Sequence, residues 1–263
     1  METASRLDGK VCVITGATGI AAAAAARFIE EGAAVFTIAI ASDQCSDLHD
    51  TLDAGPQHGW VAADLSDESA AVAAFVECVE LFGTLDGLFA VAGGSGRGFG
   101  DGPTDTIPLG AWQATLDLNL TTTFLSVREA LRHMLAKETP AGSIVVTSSV
   151  LAEHPVPELF PTHAYATAKG AQLALVRTVA ARYALDNIRV NAITPAVVDT
   201  PMSARAKEDP ETLTYIEKKQ PLAGGVIPAL DVAAAALFLL SDEARFVTGQ
   251  AIAVDGGWGV TQV

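Results

Sequence analysis

A tyrosine and a lysine stand four residues apart in Tyr165-Ala166-Thr167-Ala168-Lys169. On a helix, that spacing puts both side chains on one face. A free phenol ionises near pH ~10, too high for a good base at neutral pH. A lysine cation one turn away would favour the phenolate and let the tyrosine pass a proton. The pattern is common, and a tyrosine at a helix edge beside a solvated lysine satisfies it equally well. Its context adds weight. Ser148-Ser149 closes the apolar run Ser143 to Thr147, and ligands of open α/β sheets collect at strand carboxyl ends. Asn119, in Leu118-Asn119-Leu120, is a polar residue inside an amphipathic stretch, where it could simply cap a kink. His154 and His163 suggest a serine–histidine hydrolase, but no G-x-S-x-G elbow surrounds Ser148 or Ser149.

A second constellation lies near the N-terminus. Thr15-Gly16-Ala17-Thr18-Gly19-Ile20-Ala21 joins an apolar run, Val11 to Ile14, to a helical segment, Ala21 to Glu31, closed by Gly32. Glycines at such a turn let the backbone approach a pyrophosphate, and the helix start offers free N–H groups and a positive dipole end.

The elements that must position these residues alternate. Further strands are expected at Ala33 to Ala41, Trp60 to Ala63, Leu85 to Ala92, Ser143 to Thr147, Arg189 to Ile193 and Gln250 to Val254. Helices are expected from a Ser66 cap to about Phe82, ended by Gly83, then at Leu109 to Lys137, His163 to Tyr183 and Asp231 to Leu240. Asp199 to Gly225 reads as an exposed, partly helical excursion over the substrate. Strands apolar on both faces and separated by helices imply a parallel sheet covered on both sides. The fold class is therefore α/β, a Rossmann-like doubly wound parallel sheet of about seven strands. A single dinucleotide-binding oxidoreductase domain is expected over residues 1–263.

These motifs resemble the short-chain dehydrogenase/reductase family over roughly Gly9 to Trp258. The family's glycine turn is one residue longer than this one and carries a third glycine where Ala21 stands. The resemblance implies an NAD(P)-dependent alcohol dehydrogenase or carbonyl reductase, acting on a small-molecule alcohol or carbonyl. It implies Tyr165 as proton carrier, Lys169 as support for the phenolate and grip on the nicotinamide ribose, and Ser149 as the group that orients the substrate oxygen. Asn119 would hold a water that completes a proton relay to Lys169. Asp64 would meet the adenine and Leu65 pack on it, although an Asp after a strand is usually a turn residue. Gly16, Thr18, Gly19 and Ile20 belong to the cofactor cradle. Ala90-Val91-Ala92-Gly93 stands in place of the family's NNAG, of which Ala92 and Gly93 survive. Pro195, Val198 and Thr200 match the segment that holds the carboxamide. The Glu153–Pro161 loop lengthens the Ser–Tyr interval, either to shape the substrate pocket or as a tolerated surface insertion. Gly94–Gly102 and Thr200–Gly225 would complete the pocket. A homotetramer is also implied.

NAD is favoured weakly over NADP. Ala39 and Ile40 offer neither the ribose-binding carboxylate nor the phosphate-binding arginine. Asp43 and Asp47 would repel a 2′-phosphate that Ser42 could otherwise receive. A net charge of -15 argues against nucleic acid and anionic membrane surfaces as partners. Cys12, Cys45 and Cys78 match no zinc or disulfide spacing, so no metal is expected and reduced core thiols in a cytoplasmic protein are. Two rival functions stay open: a catalytically weak nucleotide-binding regulator or interaction subunit on the same fold, and a lyase or epimerase that retains its cofactor.

Overall fold

The computed structural model describes residues 5–262. Seven strands are present: β1 (Val11–Thr15), β2 (Ala34–Ala39), β3 (His58–Ala62), β4 (Gly87–Ala90), β5 (Gly142–Thr147), β6 (Ile188–Pro195) and β7 (Ala251–Val254). All pair in parallel, in the order β3-β2-β1-β4-β5-β6-β7. Strand order reverses between β1 and β4, which opens the ligand crevice at their carboxyl ends.

The helices are α1 (Ile20–Glu30), α2 (Ser42–Leu52), α3 (Glu68–Phe82), α4 (Leu109–Leu116), α5 (Thr122–Leu135), α6 (His163–Tyr183), α7 (Ala204–Glu208), α8 (Pro210–Lys219) and α9 (Ala229–Leu240). One face of the sheet is covered by α1, α2 and α9, the other by α3, α5 and α6. The alanine-rich face of α1 lies on α9, where Ala21, Ala24 and Ala25 meet Val232, Ala233 and Ala236 at complete burial. Small side chains let the two helices approach closely and keep the start of α1 beside β1. The three cysteines sit inside these cores, and burial pushes the Cys12 and Cys78 thiols up to about 12. Among the described residues no helix is long and apolar enough to cross a membrane.

Three local features differ from the sequence expectation. The segment Ser42–Leu52 is a helix, although its polar composition gave no apolar stripe beyond Cys45 and Leu48, which are the residues it buries. The cap of α3 is Asp67, whose carboxylate accepts from the Ala70 N–H at 2.8 Å, not Ser66. Ser66 is drawn into a turn by Asp64, which accepts from its N–H and hydroxyl at 2.9 and 2.7 Å. The long helix expected over 109–137 is interrupted by a π-helical turn, Asp117–Thr121, between α4 and α5. There the Thr122 hydroxyl donates to the Asp117 carbonyl at 3.0 Å and the Thr123 hydroxyl to the Asn119 carbonyl at 2.7 Å. Hydroxyls bonding backward to the ladder offer the backbone an alternative to regular α geometry.

Candidate active site

A cavity of about 470 Å³ opens along the carboxyl ends of β1, β4, β5 and β6. Gly16, Thr18, Gly19 and Ile20 line one end, and Ser149, Tyr165 and Lys169 another part of the same wall. Ala92, Gly93, Pro195, Val198 and Thr200 complete the wall expected from the sequence.

The reacting side chains are held from three sides. Lys169 is buried on α6, and its Nζ donates to the Thr147 carbonyl at the end of β5, 2.8 Å away. It also lies 5.5 Å from the centroid of the Tyr165 ring. Burial lowers the lysine pKa to about 7. Burial raises that of the Tyr165 phenol, and the neighbouring Ser149 hydroxyl opposes the rise. The two serines have divided their work. The Ser148 hydroxyl donates to the Lys169 carbonyl at 2.8 Å and locks β5 to α6. That of Ser149 accepts from the Leu151 N–H at 3.2 Å, which starts the turn beyond the strand.

Two residues that position this machinery carried no sequence motif. Asp101, in the loop after β4, accepts from the Ala164 and Tyr165 N–H groups at 3.0 and 2.9 Å. It caps α6 from outside the helix and fixes the turn that presents Tyr165. Gln172, also on α6, donates to the Asn119 carbonyl at 3.0 Å and the Thr123 hydroxyl at 2.7 Å. Gln172 shows only as a polar residue on the buried side of α6, and Asp101 lies in a glycine-rich loop where an aspartate is ordinary.

Asn119 stands behind the cavity and does not line it. Its Oδ1 accepts from the Gly94 N–H at 3.1 Å, and its Nδ2 donates to the Gly94 and Thr115 carbonyls, each at 2.9 Å. A Cβ on Gly93 would lie 2.6 Å from Asn119 Oδ1 and 3.6 Å from Lys169 Nζ. The missing side chain at Gly93 is thus what lets Asn119 and Lys169 approach the same point. Among the described residues no direct hydrogen bond joins them, so a relay between them needs a bridging water.

The cradle for a dinucleotide is built with equal economy. Gly16 and Gly19 have φ of 100° and 56°, which only glycine adopts readily. A Cβ on Gly19 would stand 2.7 Å from Thr200 Cγ2. The methyl of Ala21, where the family usually has glycine, is buried, and a Cβ on Gly16 would sit 3.4 Å from it. The tie across the strand ends is supplied by Thr15, whose Oγ1 accepts from the Val91 and Ala92 N–H groups at 2.9 and 3.0 Å. A narrow glycine-lined channel from a helix start to a buried Tyr–Lys pair fits a nicotinamide dinucleotide. Asp64 and Leu65 do not line the cavity; Asp64 is occupied by Ser66 and Leu65 is buried in the core. His163 Nδ1 is bonded to the Thr104 hydroxyl, 2.8 Å away, and not to a serine.

The cavity lining also includes Arg97 and Arg205, which fall inside the Gly94–Gly102 and Thr200–Gly225 segments expected to complete the pocket, and Trp258, which sequence reading did not place there. The indole of Trp258 packs against Phe160 and Tyr215, with ring centroids 6.1 and 5.7 Å away.

A family model described as enoyl-(acyl carrier protein) reductase matches residues 15–259. Cis-4-hydroxycyclohexanecarboxylate dehydrogenase of Sinomonas cyclohexanicum is 35% identical over 95% of this chain and 96% of its own. For 3beta-hydroxysteroid dehydrogenase 1 of Eggerthella lenta, identity is 36% over 95% of this chain and 94% of its own. The structure of carveol dehydrogenase from Mycobacterium avium in complex with NAD superposes with a TM-score of 0.89 at 30% identity, covering 98% of this chain and 100% of that one. Fold, glycine turn and these likenesses agree: the chain belongs to the short-chain dehydrogenase/reductase family of NAD(P)-dependent oxidoreductases acting on CH–OH groups.

Proposed function

We propose that this protein interconverts a secondary alcohol and a ketone, with Tyr165 as the general acid and base. The observation that carries the reading is the burial of Ser149, Tyr165 and Lys169 in one cavity with the Gly16–Ile20 turn. When bound, the nicotinamide supplies or accepts the hydride. In reduction, the Tyr165 hydroxyl gives its proton to the carbonyl oxygen while the Ser149 hydroxyl donates a hydrogen bond to that oxygen, stabilising the charge that develops there. In oxidation the tyrosine takes the hydroxyl proton. Burial pushes the phenol up and pulls the Lys169 amine down to about 7, and when Lys169 carries its proton the cation beside the ring would favour the phenolate. Asn119 anchors the loop against which a relay water would sit.

Asp43 and Asp47, on α2, and the absence of any cation from Ala39 to Asp47 favour NAD over NADP. Asp64 and Leu65 would contribute only at the adenine end. The excursion over 199–225 closes the substrate side through Thr200 to Ala206. Exposed Leu109, Phe124, Phe246 and Val260 suit a homo-oligomer, a tetramer by family resemblance, and three buried free thiols suit the cytoplasm. The test is absorbance at the reduced-nicotinamide band with NADH or NADPH and a panel of ketones. Turnover with NADH that is lost in Tyr165→Phe, with cofactor binding retained, is the expected result. Tight cofactor binding without turnover on the whole panel would instead make the chain a nucleotide-binding regulator.

A further inference from the structure

We propose that the substrate carries a carboxylate, received by Arg97 and Arg205 in the wall of the reaction cavity. The proposal rests on the alcohol–ketone reading above and narrows its substrate class. Arg97 sits in the short 3-10 turn Arg97–Phe99 after β4, and Arg205 in α7, so two separate segments bring their guanidiniums to one cavity. Neither forms an ion pair with a carboxylate among the described residues, whereas eight other cationic side chains do. One N–H of Arg97 goes to the Leu159 carbonyl at 3.1 Å, and no other acceptor is within its reach among the described residues. The acid nearest to it in charge effect, Asp101, spends its oxygens on the Ala164 and Tyr165 N–H groups.

The two cations feel each other. Burial first, and then the Arg205 charge, hold the Arg97 guanidinium below its ordinary value, with Asp101 opposing. Asp101 and Asp209 lie within range of these charges without forming an ion pair with either guanidinium, so an anion placed between the two cations relieves their mutual repulsion. Beside Ser95, Thr162 and Ser203, much of that wall is apolar: Val150, Leu151, Phe160, Met202 and Trp258. An apolar body with a hydroxyl or ketone towards Tyr165 and a carboxylate towards the arginines matches it. A fork-shaped guanidinium suits a planar carboxylate. In a chain with net charge -15, a local cation pair would offset the general repulsion that an entering acid meets.

The experiment uses the full-length protein with NADH and a set of paired probes: keto acids of three to ten carbons, a ring-substituted cyclohexanone carboxylate among them, each beside its methyl ester. Turnover is followed by absorbance, and binding by calorimetry in the presence of cofactor. At least one acid is expected to exceed its ester by at least about tenfold in kcat/KM, mostly through KM. Arg205→Gln should bring that ratio towards one, and Arg205→Glu should reverse it in favour of an amine-bearing ketone. Arg205 is exposed and makes no hydrogen bond or ion pair among the described residues, so these variants keep the test valid if Arg97→Gln, which loses the Leu159 contact, fails to fold. Binding that prefers acids in an Arg205-dependent way, with no turnover of any probe, would uphold the anion site while sinking the alcohol–ketone reading. Esters equal to acids throughout the set, or no binding of any acid, overturns the proposal. So does a ratio unchanged in Arg205→Gln while cofactor affinity falls, which would mean that the arginines serve cofactor phosphates.

Discussion

The cavity has two walls, and they are made of different material. The cofactor wall is a row of strand ends: Gly16 after β1, Ala92 and Gly93 after β4, Ser148 and Ser149 after β5, and Pro195 closing β6. Each is fixed by a sheet hydrogen-bonded on both sides and buried under helices on both faces. The substrate wall contains no strand of the sheet. It is the loop after Ser149, the α7–α8 excursion and the C-terminal segment, gathered on a small core of Val150, Val156, Ala206, Ile216 and Trp258. Chemistry that depends on fractions of an ångström sits on the first wall. Recognition sits on the second, where chain length and composition can change without moving a strand.

Lys169 is the sharpest probe of the first wall, because it is costly to the fold and the proposed proton transfer needs it. Its replacement in Lys169→Met should lower kcat roughly a thousandfold, the range expected when proton transfer loses its support. The same change should stabilise the protein. In the unfolded chain the amine titrates near 10.5, and in the folded one burial brings it to about 7. Between those values the unfolded chain holds a proton that the folded chain has released, so stability climbs as pH rises from about 7 towards 9. Lys169→Met should flatten that climb and raise stability at pH 6 by on the order of 2 kcal/mol. Denaturant midpoints at pH 6 and pH 9 check it. A wild-type midpoint that does not rise with pH, or a variant less stable than wild type at pH 6, breaks the claim that the active wall is held at a cost.

The second wall should respond the other way. Trp258 is the largest buried side chain of the satellite core, and Trp258→Ala removes its contacts with Phe160 and Tyr215. The expected cost is about 3 kcal/mol, with the melting transition broadened as the excursion loosens before the sheet. The KM for substrate should rise while the cofactor dissociation constant stays close to the wild-type value. Equal losses in both would mean that the two walls are one cooperative unit.

The contrast also separates what could be read from the sequence. Strands and the helices over them were legible because burial on both faces demands unbroken apolar runs, as in Val11–Ile14 and Ser143–Thr147. The residues Ser149, Tyr165 and Lys169 were legible because their types and spacing are set by local geometry at one strand end and along one helix. Asp101 was not, since its role is to cap α6 across a gap of more than sixty residues, and no local pattern records a tertiary cap. Nor was α2, whose polar surface leaves only Cys45 and Leu48 to mark a buried side. The π-helical turn at Asn119 escaped because Thr122 and Thr123 look like ordinary helix residues until their hydroxyls are seen to bond backward. Arg97 and Arg205 belong to the substrate wall, where pairing depends on how two irregular segments fold towards each other.

A last change sits where the two walls touch. Gly19 opens α1 with φ of 56°, and Thr200, at the head of the excursion, packs against it so closely that a Cβ there would fall 2.7 Å from Thr200 Cγ2 and 2.9 Å from Thr200 Cβ. Gly19→Ala therefore strains the backbone and pushes Thr200 outward. The backbone strain alone is worth about 1–2 kcal/mol, most of it paid where the helix N–H groups must meet the pyrophosphate. Cofactor affinity is expected to fall about tenfold, read by calorimetry, with the fold retained and kcat largely recovered at saturating cofactor. The companion change Thr200→Ser removes the obstructing methyl, so in the double variant part of the lost affinity should return. Recovery would show that the excursion presses on the cradle through this one contact. No recovery would leave the effect with the strained φ of residue 19 and the remaining approach to the Cβ of residue 200.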